Sequence, residues 1–188
     1  MRDVSVRPVS DFDAELMHLL GDERAADAAR TRARERDLRT AALTDATLPG
    51  VLLDAAERGD RVAVRTVSGR ALQGHIVLVA QDGIVLDGPL GTSYLPFTGI
   101  ASFRRPQTRA VIEPTGDRPP PRQATITALL AELAPDRPRV AVAVIGEAAL
   151  VAGELRAASS DVVTITLPEG PLYVAARQVS ELTVLASG

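Results

Sequence analysis

Residues 68–87, SGRALQGHIVLVAQDGIVLD, read as two β-strands around a short polar turn. Positions 71–80 make the longer strand and 83–86 the next, bounded by turn-forming Gly and Asp residues. Gly74 interrupts the long strand, where a sharply bent strand needs a residue without a side chain. Further strands are expected at 61–66, 92–95 and 100–103, so one block of five short strands ends near residue 104.

The block recurs. Thirty residues from Gly74 align without a gap on thirty from Gly153. Identical pairs are Gly74 with Gly153, Asp82 with Asp161, Pro89 with Pro168, Gly91 with Gly170 and Tyr94 with Tyr173. Apolar positions match too, among them Ile76 with Leu155, Ile84 with Val163 and Phe103 with Leu182. RVAV stands at 61–64 and again at 139–142, and a helix with a Leu-Leu pair, Leu52-Leu53 or Leu129-Leu130, precedes each copy. Such a repeat is one supersecondary unit used twice. Five short antiparallel strands bury enough surface only by curling into a small barrel capped by the lead-in helix.

Outside the blocks the pattern is helical or irregular. Ser10 and Asp11 offer N-cap oxygens to a short helix carrying Phe12, Leu16, Leu19 and Leu20, which Gly21 is expected to end. Residues 22–42 form an Ala- and Arg-rich helix, with Glu35 four residues before Arg39. Its alanine face suits either a solvated helix or one that docks on a partner chain. A third helix follows Pro49, with Leu52, Leu53 and Ala56 inward and Gly59 as its stop. Residues 104–122 carry Pro106, Pro114, Pro119, Pro120 and Pro121 and read as a linker, and a helix at 124–133 opens the second block. The expected organisation is a helical segment 1–47, a first barrel 48–104, a Pro/Arg-rich linker 105–122 and a second barrel 123–188.

Composition removes several chemistries. The 188 residues contain no Cys, which excludes disulfides, zinc fingers and thiol catalysis. Every one of the 21 basic residues is Arg, so there is no phosphate-loop lysine and no Schiff base. A net charge of -3 argues against a constitutively basic nucleic-acid binder. The longest apolar-rich stretch, 140–153, is shorter than a membrane span and contains Glu147. The opening MRDVSVRPVSDFD lacks a signal-peptide core, so a cytoplasmic location is expected. His18 and His75 lack metal-ligand spacing, and no nucleophile elbow or paired-carboxylate signature stands out. No catalytic residue, cofactor or metal is therefore assigned.

A helix, a strand, SGRALQGHIVLVAQDGIVLD and then YLPFTGIASF together resemble the Sm-like (LSm) small-barrel superfamily. The likeness covers residues 49–104 well and 124–185 more weakly. It also extends, in the Arg- and Ala-rich helical start before two such units, to actinobacterial proteins of unknown function. The resemblance implies two tandem five-stranded, SH3-like barrels, ring formation through the last two strands, and RNA binding. The family's RNA pocket uses an Asn shortly after the conserved acid, and this chain has no Asn at all. Around Val85 and Leu86 and around Thr164 and Ile165 the corresponding places are filled otherwise.

Two functions are carried forward. The first is a non-catalytic interaction or assembly protein, whose barrels pair with each other or with a protein partner through exposed strand edges. A homo-oligomer is one such outcome. The second is an Sm-like RNA binder using Arg104, Arg105, Arg109 and Arg177, the first three of which open the basic linker.

Overall fold

The computed structural model describes residues 11–105, 118, 123–147 and 149–186. They belong to two compact units, Met1–Thr44 and Asp45–Gly188. The first holds helix α1, Asp11–Thr44. It is one continuous helix: Gly21 does not end it, which corrects the expected break. An interior glycine costs only about 1 kcal/mol against alanine, and the Ala-, Arg- and Glu-rich run around it is strongly helix-forming. Leu38 and Leu43 are exposed on it.

In the second unit, α2 (Leu48–Glu57) starts on Thr47, whose hydroxyl accepts from the Gly50 N–H at 3.2 Å. It stops at Gly59 in a left-handed conformation (φ 63°), as its sequence implied. Leu52 and Leu53 face inward and are buried. Then follow β1 (Arg61–Thr66), β2 (Ala71–Val79), β3 (Gly83–Gly88), β4 (Gly91–Pro96) and β5 (Ile100–Arg104). After α3 (Ile126–Leu133) come β6 (Arg139–Val144), β7 (Leu150–Ala158), β8 (Val162–Leu167), β9 (Gly170–Ala175) and β10 (Val179–Leu185).

All ten strands form one antiparallel, unclosed sheet in the order β5-β1-β2-β3-β4-β10-β6-β7-β8-β9. The ladder therefore differs from the expected pair of separate barrels. Each block keeps its own order, with the fifth strand beside the first, but the blocks are fused where β4 pairs with β10. The repeat extends to irregularities: the ladder shifts between Ile76 and Leu78 in β2 and between Leu155 and Ala157 in β7. Such bulges bend and twist a strand. Gly74 is required by close approach, since a Cβ there would lie 2.0 Å from the Asp87 carbonyl oxygen.

Two apolar cores result. One, under α2, gathers Leu52, Val62, Ile76, Ile84 and Leu95. The other gathers α3 and the second block but also takes in Ala80 and Val85 from the first, with Leu78 and Tyr94 against it. The joint is thus packed as well as hydrogen-bonded. Asp82, expected only as a turn residue, reaches across it: its Oδ1 accepts from the Ile126 N–H at 2.7 Å, at the start of α3. Helix N-termini carry unsatisfied donors that a carboxylate stabilises. Replacing Asp82 with Ala is expected to cost about 1 to 2 kcal/mol. Asp82→Asn, which keeps the acceptor, should lose less than half of that in urea unfolding. Equal losses would refute the capping role.

Candidate interaction interface

The joint between β4 and β10 takes in Gly91, Tyr94 and Leu182, noted above as repeat matches, together with polar residues that sequence reading did not single out. Tyr94 pairs with Leu182, Ser93 with Thr183, Thr92 with Val184 and Gly91 with Leu185. At its end, next to Leu182, Glu181 is 1% exposed, although carboxylates are rarely buried without partners. The Arg70 Nε donates to its Oε2 at 2.9 Å, and the Thr183 hydroxyl donates to its Oε1 at 3.0 Å. With the Thr183 proton committed, the Ser93 hydroxyl donates to Thr183 at 2.8 Å. Arg70 and Ser93 come from the first block, Glu181 and Thr183 from the second, so the chain of bonds crosses the joint. Ser180, also buried, donates to the Ala143 carbonyl at 3.1 Å and lies 3.2 Å from the Ser68 hydroxyl. Two glycines admit the backbone of β10. A Cβ on Gly91 would sit 2.0 Å from the Val184 oxygen, and one on Gly99 would sit 2.2 Å from the Ser180 oxygen.

The repeat supplies a control. Each block has one fourth and one fifth strand, and the joint uses β4 of the first and β10 of the second. Their counterparts, β9 and β5, lie at the two ends of the strand order. Residues Val179–Thr183 of β10 are all buried, whereas Ala101, Ser102 and Arg104 on β5 are exposed. Tyr94 is half-buried at the joint, and burial, then the Glu132 charge, raises its phenol pKa. Tyr173, at the same repeat position on β9, is 68% exposed. Pairing at the edge is what separates the two tyrosines.

Of the four sequence-derived arginines, three lie among the described residues. Arg104 ends β5 and is exposed, and Arg105 forms an ion pair with Asp60 at 3.6 Å. Arg177 lies in the 3-10 turn between β9 and β10. Arg109 lies outside the described residues. His75 places Nδ1 3.1 Å from the Gly59 carbonyl oxygen, and His18 is an exposed position of α1. Among the described residues no group of three or more His, Asp and Glu is placed to hold a metal ion. No described helix is long and apolar enough to cross a membrane.

No protein-family model matches this chain, and no curated protein does. Its chemistry has to be read from its own residues.

Arg118, the described residue of the stretch 106–122, is engaged by the first block. Its guanidinium donates to both Glu57 carboxylate oxygens, at 2.7 and 2.8 Å, and lies 3.3 Å from the buried Asp54 carboxylate. The Arg118 hydrogen bond holds the Glu57 carboxyl below its ordinary pKa. Because the folded pKa is depressed, this contact contributes at pH values above the ordinary carboxylate range and is lost as pH falls through the lowered one. In an NMR titration Arg118→Ala should move the Glu57 midpoint upward. An unmoved midpoint would refute the clamp.

Proposed function

We propose that this protein is a non-catalytic interaction protein built from two Sm-like curled units, taking a protein partner by strand addition at a free sheet edge. The observation that carries this reading is the β4–β10 joint, where one unit accepts the edge strand of another. The recurrence of the β5-β1-β2-β3-β4 order as β10-β6-β7-β8-β9, each after a short helix, supports the Sm-like assignment of the units. A cytoplasmic site of action belongs to the same reading. RNA binding has less support, because Arg104 and Arg177 sit on separate elements and Arg105 is engaged by Asp60.

The test is selection of an unbiased displayed peptide library on the full chain, beside anisotropy with a mixed single-stranded RNA pool. Enrichment of alternating apolar/polar strands that stay bound at ~200 mM salt supports the reading, since salt removes mainly phosphate contacts. RNA retained at that salt, with no peptide enriched, would replace it.

A further inference from the structure

The two edges left unpaired among the described residues, those of β5 and β9, are not equivalent. On β9, Pro171 stands where Thr92 stands on β4 and has no N–H to donate. Proline within a sheet is confined to edges whose N–H side is open, and it blunts them. Leu172 replaces Ser93, so the hydroxyl that meets Thr183 is missing. Gln178 replaces Gly99, where any Cβ would strike the backbone of the incoming strand if the joint were repeated. The edge of β9 is thus closed to a copy of the joint.

Among the described residues the edge of β5 has no such obstruction. Ile100–Arg104 contains no proline, and among the described residues β5 is paired only with β1. The joint also says what would face it. Phe103 occupies the position of Leu182, which meets Tyr94, and is half-buried already. Arg104 occupies the position of Thr183, which meets Ser93 on the same face. A strand laid there in the register of the joint puts an apolar or aromatic residue on Phe103 and its preceding residue on Arg104. A carboxylate at that preceding place would meet the guanidinium with a charge-assisted cross-strand pair. The β9 strand of a second copy offers Leu172 there instead.

Building on the strand-addition reading, we propose that β5 is the binding edge and that its occupant is an extended acidic segment of a partner protein. The segment carries Asp or Glu immediately before an aromatic or aliphatic residue. With β9 closed, the complex ends at one segment per chain rather than growing into a ring or filament.

The probe is a peptide with the sequence of residues 88–97 in which Glu replaces the serine of position 93, with a Lys version as control. Anisotropy on the full chain should show saturable binding of the Glu peptide and at least tenfold weaker binding of the Lys peptide. Hydrogen exchange should slow at residues 100–104. Arg104→Glu should invert the preference while leaving the thermal transition in place. Absence of binding, equal binding of both peptides, or protection at 170–175 would overturn the proposal. So would concentration-dependent self-association of the free chain that Arg104→Glu abolishes, which would make a second copy the occupant. If library-selected strands bind but protect another edge, strand addition stands and only this assignment falls.

Discussion

Arg70→Ala is expected to destabilise the chain by about 3 kcal/mol, the scale for breaking a buried ion pair from one side. The loss comes less from the missing attraction than from what stays behind. Glu181 is 1% exposed and would keep a single hydrogen-bond partner, the Thr183 hydroxyl. Arg70 is itself 31% exposed, so water entering its vacated place limits the penalty. This origin can be checked by adding Glu181→Gln. An amide leaves no buried charge and still accepts from Thr183, so Arg70→Ala with Glu181→Gln should be more stable than Arg70→Ala alone. Urea unfolding of the full chain gives both values. A double variant no better than the single one would mean that Arg70 acts through packing of its stem and not through charge.

The second large effect is Gly91→Ala, read against Gly170→Ala. Both glycines have left-handed backbones, at φ 119° and 131°, so each substitution carries the same strain of about 1 to 3 kcal/mol. They differ in what the new Cβ meets. At Gly170 there is nothing within 4 Å, whereas at Gly91 the Val184 carbonyl oxygen lies 2.0 Å away and is held in the ladder. Overpacking against backbone adds about 1 to 3 kcal/mol, so Gly91→Ala should be the worse variant by that amount. Thermal unfolding of the pair measures the difference. It isolates the joint, because strain cancels between repeat-related positions. Equal losses would show that β10 can yield at little cost.

The strand positions were legible from local signals. The long strand at 71–80, the Asp82 turn and the repeat-matched Pro89 and Gly91 have counterparts in the second block and fall at the strands and their turns. The lead-in helices at α2 and α3 were equally plain, through their Leu-Leu pairs, whereas their Thr caps were not noticed. The expected helix break at Gly21 was read from propensity alone, which a long run of strong helix formers outweighs. Arg105, carried as a candidate RNA contact, is paired with Asp60, and Arg118, which sequence reading did not single out, is paired with Asp54 and Glu57 of the first block.

By itself the sequence determined that there are two copies of one helix-plus-five-strand unit, since period, turn chemistry and repetition are written in neighbouring residues. Which edge joins which was decided only by tertiary structure. Strand addition is made by backbone N–H and C=O groups, which nearly every residue carries, so pairing leaves little trace in side-chain pattern. Glu181 shows the consequence. Its partner Arg70 is 111 residues away, and burial of that carboxylate becomes tolerable only once β4 and the β1–β2 turn have closed over β10.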